Sequence, residues 1–144
     1  MKYVTLESAN AYFSTRIGSG VWDLAGDTLK EKALTSAERV FERLAYKGLQ
    51  VTAGYIFPRD EQTEIPTHVL EAIYEEALSL LNNNKNETEL ADLHVVSSSA
   101  AGFSTTVNEL MERPWIGQGL TSPIAWNLIV PYLLNPNTFR IVPA

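Results

Sequence analysis

The chain predicts a mainly α fold: a small bundle of about four helices with a short β-hairpin and an extended C-terminal tail. Three observations point to it. Apolar residues recur at helical spacing in several long stretches. Ser/Thr caps or first-turn prolines open the helical segments. Only residues 93–96 and 103–107 have the composition of strands. The expected organisation is a helical body over residues 1–134, with the hairpin near 93–107, and a tail over 135–144.

The first helix starts after Thr5, whose hydroxyl can cap the free amides of the first turn. Glu7 favours the positive end of the helix dipole. Leu6, Ala9, Phe13 and Ile17 form one apolar stripe, and Gly18, Ser19 and Gly20 end it. Val21 and Trp22 lead to a second helix, where Thr28 and Glu31 match a capping box. That helix runs to about Leu44, with Leu29, Ala33, Ala37, Val40 and Leu44 on its apolar face and Gly48 as a stop. Lys30, Glu31, Glu38, Arg39 and Glu42 fall mostly off that face.

Residues 45–64 form an irregular connection with Gly48, Gly54, Pro58 and the apolar cluster Tyr55, Ile56, Phe57. A connection this long packs or functions. Ile65 and Pro66 open the third helix, since proline suits the first helical position. Val69, Ile73, Ala77 and Leu80 make one stripe, and Leu70, Tyr74, Leu78 and Leu81 a second. Two stripes predict a central helix, packed on more than one side and ending near Asn82.

The polar run 82–87 is a loop tip, and Ser98 to Gly102 turn the chain between the hairpin strands. Residues 109–118 are ambiguous, with Pro114 and Gly117 favouring a loop. Ser122 and Pro123 open the fourth helix, which runs from Ile124 to about Leu134 and is kinked or broken by Pro131. Phe139, Arg140, Ile141 and Val142 give the tail a strand-like composition.

Composition narrows the function. With 144 residues and 45% hydrophobic content, wholesale disorder is excluded. Eleven Lys and Arg against seventeen Asp and Glu give a net charge of −6, which argues against a general duplex-DNA binder. With no Cys there is no disulfide, thiolate metal site or Cys nucleophile. The N-terminus lacks the apolar core of a signal peptide, and the longest apolar stretch, 123–134, is shorter than the roughly 20 residues of a membrane span. A soluble protein with no membrane association is expected.

No catalytic constellation emerges. His68 and His94 are the only histidines, too few for a structural metal site, so no metal and no cofactor are expected. Glu71, Glu75 and Glu76 are best explained as a solvated face, with an acidic lining or docking face as the alternative. Ser97, Ser98 and Ser99 do not form a nucleophile elbow, and the glycines at 117 and 119 fail the dinucleotide fingerprint. The chain is therefore not expected to be an enzyme. Tyr46 with Lys47, and Phe57 with Arg59, loosely fit the aromatic–basic interleaving of a single-stranded DNA binder. Trp22 and Trp126 fit core anchors better.

The order of motifs resembles a known family. The opening from Tyr3 to Phe13, Trp22 before the second helix, and Ala33, Ala37 and Arg39 to Leu44 within it come first. Phe57-Pro58-Arg59, Ile65-Pro66 with Ala72, Glu76, Ala77, Leu78 and Leu81, and Pro131-Tyr132-Leu133-Leu134 follow. Together they are similar to the head–tail connector proteins of tailed bacteriophages, in the DnaT-like family. The resemblance implies a structural virion protein, an adaptor in the virion neck assembled in the host cytoplasm. Its partners would be further copies of itself, commonly about twelve in a closed ring, the portal protein above, a downstream tail or stopper protein below, and genome DNA passing non-specifically. Phe139, Arg140, Ile141 and Val142 become candidates for portal docking. Phe57, Arg59, His94, Ser98, Ser99 and Phe103 become candidates for ring contacts or the channel wall. The alternative under the same family label is a single-stranded DNA-binding protein.

Overall fold

Thr5 caps the first helix, α1 (Leu6–Ser14), through a reciprocal pair: its hydroxyl accepts from Ser8 N–H, and Ser8 Oγ accepts from Thr5 N–H, both at 3.1 Å. The structure, a computed structural model, describes residues 1–82 and 113–134. Its further helices are α2 (Gly20–Leu24), α3 (Asp27–Glu42), α4 (Thr67–Leu81), α5 (Pro114–Gly117) and α6 (Pro123–Ile129), with a 3-10 turn over Val130–Tyr132. The mainly α class is as expected. The expected hairpin near 93–107, most of the 82–87 loop and the 135–144 tail lie outside the described residues. Among those described there is no strand, only the isolated antiparallel bridges Tyr46 to Leu133 and Gln50 to Arg59.

α1 buries Ala9 and Phe13, but Ile17 does not join their stripe. It lies beyond the helix and is 97% exposed. The hydroxyls of Ser14 and Thr15 donate back to Ala11 O and Tyr12 O, and Ser19 Oγ to Phe13 O, so side chains take over the carbonyls a longer helix would use. The short α2 replaces the expected link. It buries Trp22, whose Nε1 donates to Asn10 Oδ1 at 2.9 Å and whose ring lies 4.5 Å from that of Phe13.

α3 corrects the sequence in two ways. It begins at Asp27, so Thr28 is already helical and the expected box with Glu31 does not form; the N-cap is Gly26, without a side-chain bond. Its buried face is Ala33, Leu34, Ala37, Glu38 and Phe41, while Leu29 is half exposed. The face is turned because α4 packs on one side of it and the irregular N-terminal segment meets Glu38 on the other. Leu44 is buried as expected, though the helix stops at Glu42.

α4 is the central helix that its two stripes predicted. Every residue from Ala72 to Ser79 is buried, and it packs against both α3 and α6. Pro66 is its N-cap rather than its first residue. α5 is a single turn in the stretch whose sequence was ambiguous. α6 opens as expected, with Ser122 Oγ accepting from Ala125 N–H at 3.1 Å and Pro123 in the first turn. Pro131 falls in the 3-10 turn that ends it. Trp22 and Trp126 are both core residues.

Residues 45–64 are irregular but tightly held. Phe57 is 2% exposed and makes edge contacts with Tyr46 and Tyr132 at 5.0 and 5.8 Å. Lys47 N–H donates to Tyr132 O at 2.9 Å, and Leu134 N–H to Ala45 O at 3.0 Å. Gly48 is required where it stands: its φ is +83°, and a Cβ there would come within 1.9 Å of Asp60 Oδ2.

Candidate functional site

The polar chemistry inside the bundle belongs to three glutamates, each buried and each gripping a segment distant in sequence. Glu38, on α3, takes the N-terminus. Its Oε1 accepts from Lys2 N–H at 2.9 Å, and its Oε2 from Tyr3 and Val4 N–H at 2.6 and 3.1 Å. Three successive amides thus converge on one carboxylate, a local anion nest. Lys2 Nζ pairs with Glu42 one turn on, which raises the lysine's pKa.

Glu75, in the middle of α4, holds the end of α1. Arg16 donates Nε to Oε1 and Nη2 to Oε2, the second at 2.9 Å, a forked pair. Tyr12 Oη donates to Oε1 at 2.7 Å. Burial pushes the Tyr12 phenol well up, and the bond to Glu75 pushes it further, so it stays a donor. The Arg16 guanidinium is likewise held in its charged form by Glu75.

Glu76, the next residue on α4, faces the other way and holds the entry to α6. Its carboxylate accepts from Thr121 N–H at 3.0 Å, Ser122 N–H at 3.0 Å and the Thr121 hydroxyl at 2.8 Å. Ser79 Oγ lies 2.8 Å from that hydroxyl. Burial pushes the Glu76 carboxyl up, while the bonds from Thr121 and Ser122 pull it back.

These groups serve to fasten chain to chain. Each carboxylate has its acceptor sites filled by amides, hydroxyls or a guanidinium. Among the described residues, no group of three or more His, Asp or Glu is placed to hold a metal ion. His68 is exposed in the first turn of α4. No helix among the described residues is long and apolar enough to cross a membrane.

Of the candidates named from sequence, Phe57 and Arg59 are brought together in the 45–64 connection. Phe57 is a core anchor there. Arg59 donates Nε to Lys47 O, Nη2 to Gly48 O and Nη1 to Ile56 O, and so organises the loop from within. What the connection offers outward is Leu49, Val51 and Tyr55, all exposed. His94, Ser98, Ser99, Phe103, Phe139, Arg140, Ile141 and Val142 lie outside the described residues.

Glu38, Glu75 and Glu76 were missed as structural groups; the acidic run on α4 is a solvated face in neither Glu75 nor Glu76. A signal was present. Glu38 sits between Leu34 and Phe41 on one helical stripe, and Glu76 between Ile73 and Leu80 on another. A carboxylate inside an apolar stripe needs partners to be buried. The chain matches no protein-family model, no curated protein and no solved structure.

Proposed function

We propose that this chain is a subunit of a head–tail connector of a tailed bacteriophage, forming a ring beneath the portal and docking the next tail component. The observation that carries the reading is the ordered set of motifs that resembles that family over nearly the whole chain. The fold is compatible with it. Motif residues from separate segments meet in one core: Phe13 with Trp22, and Phe57 with Tyr132. A subunit whose central helix bolts down the end of α1 and the entry to α6 keeps its shape under load, which suits a static adaptor.

Two further features favour assembly. Ile17 and Leu24 are at least 90% exposed at the α1–α2 corner, and Leu49 and Val51 are exposed on the connection. Exposed apolar side chains at two places on one subunit are compatible with a head-to-tail interface, which closes into a ring when its rotation permits. Leu134, the last described residue, is tied to Ala45 beside that same connection. A tail used for portal docking thus starts next to a candidate assembly surface.

The test is the mass of the purified protein in solution, measured by light scattering with and without the cognate portal ring. A closed oligomer, alone or on the portal, is the expected result. A monomer that ignores the portal would overturn the reading.

A further inference from the structure

We infer that the outer face of α3 is a contact surface for the phosphodiester backbone of duplex DNA. The inference rests on the connector reading for the place where chain and DNA meet; the binding itself is measurable on the isolated protein.

Folding segregates charge that the sequence interleaves. Residues 30–47 hold five of the chain's eleven Lys and Arg but only three of its seventeen Asp and Glu, so this window is net +2 in a chain of net −6. At 100° per residue, Thr28, Lys32, Thr35, Arg39 and Arg43 fall on one side of α3, opposite the buried Ala33, Ala37 and Phe41. Lys32, Arg39 and Arg43 are exposed, and none makes an ion pair or hydrogen bond with a described residue. Of the other cations nearby, Lys2 is engaged with Glu42, Lys30 lies over the Trp22 ring and Arg59 bonds loop carbonyls, while Lys47 lies beyond the helix. Of the three acids, Glu38 is turned inward onto the N-terminal amides and Glu42 is neutralised by Lys2. Only Glu31 opposes the stripe.

Geometry and composition select the partner. Thr28, Glu31, Lys32, Thr35, Ser36 and Arg39 surround one open hollow of about 480 Å³. Hydroxyls interleaved with cations provide short donors between long ones, the mixture that phosphate oxygens accept. The face lacks an apolar centre, which a protein partner would need. Interfaces with DNA are polar and positively charged. From Lys32 to Arg43 the stripe runs about 16 Å along the helix axis, roughly five base-pair steps of one strand. The net negative charge of the whole chain keeps the contact weak and reversible, which is what a channel needs to let DNA slide.

The experiment titrates the full chain into a fluorescent DNA duplex at low ionic strength and then at rising salt. Three phosphate contacts predict a slope of log K against log salt of about −2.7. The triple variant Lys32→Gln, Arg39→Gln, Arg43→Gln should lose about tenfold or more of the affinity, with an unchanged circular-dichroism melt because all three positions are exposed. Equal binding by wild type and variant overturns the inference, as does absence of binding at low salt or binding to single strands alone. If the variant changes the oligomer mass while leaving duplex binding intact, the stripe is a contact between copies and the inference fails. Duplex binding by a chain that never meets a portal sinks the connector reading and leaves this one standing.

Discussion

Glu76 and Thr121 stand 45 positions apart and are joined through both the backbone amide and the hydroxyl of the threonine, at 3.0 and 2.8 Å to the same carboxylate oxygen. Ser122 N–H adds a third bond, to the other oxygen. The pair brackets residues 83–112 in sequence and fixes where α6 begins. Glu76→Ala leaves two buried amides unpaired, takes from the Thr121 hydroxyl one of its two partners and opens a cavity, a loss of about 3–5 kcal/mol. Glu76→Gln keeps the volume but replaces one acceptor by a donor that faces an amide, at about 1–3 kcal/mol. Urea denaturation ranks the two. An alanine variant as stable as wild type would show that the clamp carries nothing.

The same carboxylate gives stability an unusual pH dependence. Burial raises the Glu76 carboxyl above its ordinary value, so the folded chain takes up this proton at higher pH than the unfolded chain. This group's contribution is therefore fully present below the unfolded value and lost as pH rises through the folded one. The stability difference between wild type and Glu76→Gln should shift in favour of wild type as pH falls from neutral towards the ordinary carboxylate range. Denaturation of both proteins across that range tests it; a constant difference, or one that moves the other way, contradicts the assignment.

Arg16 and Glu75 form the second bolt, and here the charge is paired. The Glu75 side chain is 3% exposed and that of Arg16 21%. Arg16→Met leaves Glu75 buried with Tyr12 as its one remaining strong donor, at a cost of about 3 kcal/mol. Tyr12→Phe removes a hydrogen bond to a charged group, at about 1.5 kcal/mol. Because both act on one carboxylate, the double variant should depart from the sum of the singles. Additive losses in a double-mutant cycle would show that the two groups do not share Glu75.

Local signals in the sequence were legible; signals made by tertiary contact were not. Thr5 and Ser122 lie beside the amides they cap, so their chemistry is complete within a few residues and both helix starts were foreseen. The double stripe of α4 similarly revealed a helix packed on two sides. The apolar face of α3 was misplaced because periodicity was counted over apolar residues alone. Including Glu38 restores the Leu34–Glu38–Phe41 stripe. What makes Glu38 buried is a set of backbone amides at positions 2–4, which no side-chain pattern advertises. The basic stripe of α3 was hidden for a related reason: its cations are interleaved with Glu38 and Glu42, and only folding turns one inward and pairs the other with Lys2.

Glu38 also controls the N-terminal segment. With three amides on one carboxylate, Glu38→Ala should release residues 2–4 together, at about 2–3 kcal/mol for bonds to a charged acceptor. Amide hydrogen exchange gives the direct measurement. Protection of Lys2, Tyr3 and Val4 should collapse in the variant, while that of the α4 amides falls only by the change in global stability. Retained protection at residues 2–4 would mean that something else holds the segment.

On the connector reading, the tail separates docking from folding. Among the described residues, the core runs as far as Leu133, and Leu134 N–H donates to Ala45 O. Deleting residues 139–144 removes Phe139, Arg140, Ile141 and Val142, the candidates for portal docking. On that reading these residues serve docking and not folding, so the melting temperature should stay within a few degrees of wild type. On the connector reading, binding to the portal ring should disappear, because the apolar side chains that would seat in the portal are gone. Arg140→Ala should weaken binding while leaving it detectable, as the loss of one charge among several contacts does. Full portal binding by the deletion variant would place the docking surface on the helical body, with the exposed Leu49 and Val51 of the connection the first residues to substitute.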